Sequence, residues 1–131
     1  MAGSSTTVTT RKIGDCTKIK VVWVSDDATG AVSGVIAGDV VGKPMLLTTV
    51  PGAAGLAPDD NYDITITDEN GIDILAGLGA NRDTANTEHV KDTDGMLFTV
   101  ATSLTLNVTN AGNANSGTVY LTVLDMFNNK P

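Results

Sequence analysis

The chain has 131 residues, a formal net charge of −7 and a sequence pI of about 4.3, with 41% hydrophobic but only 4% aromatic residues. That length suits one domain whose core needs neither disulfide nor metal, and the apolar content excludes a compositionally disordered chain. So acidic a chain is repelled by phosphate backbones and anionic bilayers, so neither nucleic acid nor membrane is expected as a partner.

Taken in chain order, the opening MAGSSTTVTT lacks the apolar h-region of a secretory signal, so a soluble chain made in the cytoplasm is expected. No apolar run approaches the roughly 18 to 20 residues of a membrane helix. Residues 1–17 read as an N-terminal arm or a short first strand, ordered where it docks onto something. Residues 18–127 read as a single β-sandwich domain and 128–131 as a flexible tail. The one cysteine, Cys16, has no partner for an internal disulfide and reads as a small, partly buried residue.

The dominant period is two, with Val, Ile and Thr runs separated by Gly, Asn and Asp. Lys18–Asp26, KIKVVWVSD, is the first firm strand. It is apolar at the centre on both faces, which predicts cover on both sides. Trp23 at its centre reads as core, the largest apolar surface in an aromatic-poor sandwich. Ala31–Val41 is a second extended run, with Gly34 and Gly38 suggesting a bulge or a bend. Gly42-Lys43-Pro44 reads as a break, Met45–Val50 as another strand, and Pro51–Pro58, PGAAGLAP, as an apolar loop.

Tyr62–Thr67 alternates most cleanly, placing Tyr62, Ile64 and Ile66 inward. Asn70-Gly71 then predicts a type I′ hairpin turn, with Ile72, Ile74 and Ala76 on the return strand. The polar stretch Gly77–Lys91 has room for a helical turn near Asp83–His89, with Asp83 as its N-cap. Met96–Val100, Ser103–Asn110 and Gly117–Asp125 complete the pattern. About eight short strands without a helical period predict an all-β antiparallel sandwich or jelly roll.

The stretch DDNYDITITDENGIDIL crowds five aspartates and Glu69 into 17 residues. It lacks the spacing and the terminal glutamate of a calcium EF loop, and no His or Cys stands near to complete a transition-metal set. Alternation sends Asp63 and Asp73 outward and leaves Asp68 and Glu69 at the turn, so the run reads as the wet side of a hairpin. Structural calcium at the turn is the weaker alternative. A paired-carboxylate hydrolase needs a cleft lined by aromatics, and the chain holds one Trp and four other aromatics. His89 reads as surface. Asn107-Val108-Thr109 fits a glycan acceptor pattern, which has no weight without a secretory signal. No residue is therefore assigned to catalysis, metal or cofactor, and the chain is not expected to be an enzyme.

In order, the Ser/Thr-rich start, KIKVVWVSDDATGAVSG, YDITITDENGIDILAGLGANRD and SLTLNVTNAGNANSGTVYLTVL resemble the head decoration (cement) proteins of tailed bacteriophages, over about Lys18 to Leu124. The resemblance is one of texture and segment order. It implies a structural virion protein, made in the bacterial host cytoplasm, that binds the outer surface of an expanded capsid. The implied partners are the major capsid protein and further copies of the chain, as a dimer or trimer. Two candidate contact regions follow. One is Val8, Arg11, Lys12 and Ile13 in the arm, whose two cations suit an acidic lattice neighbour and whose backbone is free to add a strand to it. The other is Pro51, Ala53, Ala54 and Leu56 in the apolar loop. Other readings of the same texture are a phage neck, tail or fibre module, or a small Ig-like or carbohydrate-binding module. The last requires Trp23 exposed beside Tyr62 or Tyr120.

Overall fold

A computed structural model of the chain describes residues 3–97 and 100–125. Seven strands run through them: β1 (Ser5–Ile13), β2 (Cys16–Val24), β3 (Val32–Pro51), β4 (Asp63–Thr67), β5 (Glu88–Lys91), β6 (Val100–Thr109) and β7 (Ser116–Leu124). Every strand pairing is antiparallel, and no α-helix occurs among the described residues. The expected all-β antiparallel architecture is thus the observed one. The tail at residues 128–131, the domain end at 127 and part of the expected strand Met96–Val100 lie outside the described residues.

β1 and β2 form a hairpin in unbroken register from Ser5↔Val24 to Ile13↔Cys16. Gly14, at φ 59, opens the two-residue turn, the position where such hairpins need a left-handed residue. Residues read as an arm or a short first strand are therefore a nine-residue strand docked on the chain's own β2. β2 continues onto β7, and β7 onto the second half of β3, which also takes β5 on its far side. This first sheet runs β1-β2-β7-β3-β5. The first half of β3 instead pairs β6, and β6 pairs β4, making a second sheet.

β3 is thus one 20-residue strand shared by both sheets. The expected break at Gly42-Lys43-Pro44 is a changeover. Gly42 pairs Val100 in one ladder and Lys43 pairs Leu124 in the other. Pro44, which has no N–H to donate, sits beside a register shift where the ladder does not require one. A Cβ at Gly42 would collide with the Leu124 carbonyl, so only glycine lets the strand pass there.

The core lies between the sheets. Ile19, Val21, Trp23, Leu47, Val119, Leu121 and Val123 from the first sheet meet Val32, Ile36, Ile64, Ile66, Leu104, Leu106 and Val108 from the second. Trp23 is fully buried, with its ring centroid 5.8 Å from that of Tyr62, which is itself 1% exposed. The exposed stacking pair that a carbohydrate module requires is therefore absent at Trp23. Gly117 makes the room, because a Cβ there would lie 2.5 Å from the Trp23 ring. At the open side, Thr6 of β1 packs on Gly34 of β3, where a Cβ would come within 2.8 Å of the threonine hydroxyl.

Four expectations fail locally. β2 is covered on one face only, since Lys18, Lys20, Val22 and Val24 are exposed. Cys16 is exposed rather than partly buried. The Asn70-Gly71 turn forms, but only Gly71 (φ 81) is left-handed, whereas a type I′ turn needs two such residues. Its return strand shrinks to the single bridge Thr67↔Asp73, with Ile72 53% exposed and Ile74 and Leu75 both buried. Finally, the helical turn expected at Asp83–His89 is a bend followed by β5. The Asp83 carboxylate still accepts from the N–H groups of Ala85 (2.7 Å) and Asn86 (3.1 Å), as a cap would. Ser103–Asn110 belongs to the continuous β6, while Met96 and Leu97 precede it outside any strand.

Candidate docking surface

Four carboxylates of the acidic stretch are occupied with N–H groups of the stretch itself and of the segments packed beside it. Asp73 does not point away. Its Oδ1 accepts from Ile66 N (3.1 Å) and Leu75 N (3.1 Å), and its Oδ2 accepts from Gly77 N (2.9 Å). Asp63 accepts from Asn81 N (2.9 Å) and Asn110 Nδ2 (2.6 Å). Asp68 accepts from Asn70 N and Ile72 N, and Asp60 from Thr84 N. Each carboxylate replaces a missing turn or ladder acceptor, as Asx side chains do in turns. Among the described residues no group of three His, Cys, Asp or Glu converges as a metal-ion set would.

Two surface hollows adjoin the candidate residues. One, of 430 Å³, is lined by Pro51, Gly52, Ala53, Ala54, Ala57, Thr84 and Ala85. It contains three of the four apolar-loop candidates, while Leu56 stands out beside it, 53% exposed. The other, of 310 Å³, lies on the outer face of the first sheet between Lys18, Leu46, Thr48, His89, Tyr120 and Thr122. Thr48 Oγ1 and His89 Nδ1 are 2.8 Å apart across its floor.

The register explains what surrounds that second hollow. Directly opposed residues share a face. Arg11 pairs Lys18, Lys18 pairs Thr122, Thr122 pairs Leu46, and Leu46 pairs Lys91. The next outward row is Thr9, Lys20, Tyr120, Thr48 and His89. Beyond it come Thr7, Val22, Thr118 and Val50. Four of the eight Lys and Arg side chains thus project from one face, and no carboxylate occupies an outward strand position in those rows. The Lys18 and Lys20 ammonium groups lie 5.1 and 5.9 Å from the Tyr120 ring centroid, within cation–π range. Two ion pairs among the described residues use other cations: Lys43 meets Asp92 at 3.0 Å and Arg82 meets Glu88 at 3.6 Å.

The structure divides the arm candidates. Arg11 belongs to the cationic face. Lys12 and Val8 project from the opposite side of β1, opposed to Thr17 and Val21, and Ile13 sits at the hairpin tip, 61% exposed. The apolar loop follows the far end of β3, where Pro51 pairs Gly117 and Gly117 pairs Trp23. At about 3.3 Å per residue, Val8 lies about 7 Å and Ile13 about 23 Å along the strands from that level, with β2 and β7 between β1 and β3, so the two regions do not form one patch. Lys18, Lys20, Lys91, Tyr120 and His89 were not among the sequence candidates. Their signal was the outward phase of Lys18 and Lys20 in one strand and of His89 and Lys91 in another. Only the strand order reveals that they are neighbours.

No family model, no curated protein and no solved structure compared with the chain matches it.

Proposed function

We propose that the chain is a structural binding protein, a head decoration protein of a tailed-phage capsid, and that it attaches through the outer face of the β1-β2-β7-β3-β5 sheet. One observation carries the attachment. In a chain of net charge −7, Arg11, Lys18, Lys20 and Lys91 share rows of one sheet face in which no strand position carries a carboxylate, with the Lys43–Asp92 ion pair at its border. Arg11 and Lys18 are directly opposed, an arrangement that costs stability in the free protein because like charges repel across strands. An acidic protein surface laid against the face relieves that cost. The long ammonium stems, Tyr120, Val22 and the threonine hydroxyls supply apolar and hydrogen-bonding contacts around the charges.

A protein surface suits the face better than a nucleic-acid strand. Acidic loops border it, with Asp15 at the β1–β2 turn and Asp92 and Asp94 after β5, and an extended phosphate polymer would have to cross them. The capsid identity rests on the resemblance in segment order. The rigid body fits it: loops held by their own carboxylates have little freedom to lose on binding, and a repeating lattice turns modest contacts into firm retention.

Co-sedimentation with expanded capsids tests the reading. The wild-type chain should pellet with capsids at low salt and be released as salt screens the face. The double variant K18E/K20E should lose at least tenfold in retention with an unchanged circular dichroism spectrum. A chain that ignores capsids at every salt concentration refutes the capsid reading. Retention unaffected by K18E/K20E refutes the assigned face.

A further inference from the structure

We propose that β1 pairs edge to edge with β1 of a second copy, antiparallel and centred on Thr9, making a two-fold dimer with one continuous sheet. The inference comes from how each sheet edge is finished, and it stands independently of the capsid reading. An open strand edge presents a row of unpaired N–H and C=O groups and is normally blunted. The β4 edge is covered by the chain that follows it. Ile64 N donates to Gly79 O (2.9 Å), Arg82 N donates to Tyr62 O (2.7 Å), and Ile66 N donates to the Asp73 carboxylate. β5 has only four residues, and the Asp94 carboxylate takes its last N–H, that of Lys91, at 2.8 Å. The first half of β3 is irregular, with two register shifts and Gly34, Gly38 and Asp39 along it.

β1 has none of these devices. It is nine residues long, in unbroken register with β2, free of Pro and rich in β-branched Thr and Val. No backbone hydrogen bond from its outer edge to another element is seen among the described residues.

Its sequence fits a second copy. Centring on Thr9 opposes Thr7 to Arg11, Thr6 to Lys12, Val8 to Thr10 and Ser5 to Ile13, so no cation faces a cation. Registers centred on Arg11 or Lys12 oppose like charges and are disfavoured. The two basic residues therefore exclude registers centred on themselves instead of blocking the edge, and full overlap of the nine residues Ser5–Ile13 selects the register centred on Thr9. Antiparallel pairing about an axis perpendicular to the sheet also keeps both inner faces on one side, and brings the exposed Val8 beside Thr10 of the second copy.

An edge contact of this length lies at the small end of protein interfaces, so the dimer should be concentration-dependent. Light scattering and sedimentation velocity on the full chain, up to about 1 mM, should show the mass rising from one chain to two. In a C16S background, which removes the exposed native thiol, T9C should oxidise to a covalent dimer at least tenfold faster than V22C, whose thiol lies off the axis. T9K opposes two ammonium groups at the axis and should hold the chain monomeric, with circular dichroism confirming the fold. A wild-type chain that stays monomeric throughout overturns the proposal. So does a dimer that survives T9K, or T9C cross-linking no faster than V22C.

Discussion

The two sides of the molecule finish their surfaces in opposite ways. Around β4 and the segment that follows it, carboxylates turn back onto backbone N–H groups, and Asp73 alone holds three. On the outer face of the first sheet, Arg11, Lys18, Lys20 and Lys91 stand in rows whose strand positions carry no carboxylate, and β1 leaves its edge open among the described residues. The first side invests its charge in its own loops. The second leaves its charges facing solvent, where the proposed attachment would use them. Substitutions should therefore separate cleanly, with stability lost on one side and association lost on the other.

The largest stability effect is expected at Asp73. D73A removes the acceptor of three backbone donors and should cost about 2–3 kcal/mol, mainly through the part-buried N–H groups of Ile66 and Leu75, since the Gly77 N–H is exposed and can turn to water. A fall in urea midpoint at constant m-value is the measurement, and capsid retention of the folded fraction should not change. A loss below about 0.5 kcal/mol would mean that water replaces the carboxylate freely.

Acid should act on the same side. The carboxyls of Asp26 and Asp83 are held below the usual range mainly by backbone N–H groups, those of Ala28 and Ala85 respectively, and that of Asp92 mainly by Lys43. A lowered native pKa stabilises above the ordinary carboxyl range and is lost as pH falls through it. The melting temperature should therefore hold near neutrality and decline below about pH 4. D83N should flatten that decline. Burial raises the Tyr62 phenol, so its stabilising contribution is present below the ordinary tyrosine range and is lost as pH climbs through it and above. A plateau bounded by acid and strong alkali is the expected profile, read by thermal melts across pH.

The smallest stability effect carries the sharpest contrast. K18E replaces the Arg11–Lys18 opposition with an opposite-charge pair and should leave stability unchanged or raise it by a few tenths of a kcal/mol. The same substitution should weaken attachment. A variant that is no less stable yet binds worse would separate the two sides most clearly, and destabilisation by K18E would argue that the face is structural.

Much of the architecture was legible as alternation. Tyr62, Ile64 and Ile66, then Leu104, Leu106 and Val108, then Val119, Leu121 and Val123 are buried as their period requires. Trp23 is core for the same reason. The failures have physical causes. Val22 and Val24 suggested a covered face because apolar residues are usually buried, but they lie on the open side of the first sheet. Gly42-Lys43-Pro44 reads locally as a break, and only two competing ladders let one strand run through it. β5 is four residues held by tertiary pairing, too short to outweigh its polar surroundings. Arg11 is a candidate contact residue from the sequence, but its neighbours on the face come from strands far apart in sequence.

The shared strand β3 has a mechanical consequence. Because one backbone crosses from the first ladder into the second at Gly42 and Lys43, the layers are joined covalently in mid-strand as well as by apolar packing. A pull along the strands of the first sheet loads β3 lengthwise and passes into β6 as shear, in which several hydrogen bonds resist together instead of yielding singly. Tension borne at one surface is thereby distributed through the whole body, which should part as a unit or hold.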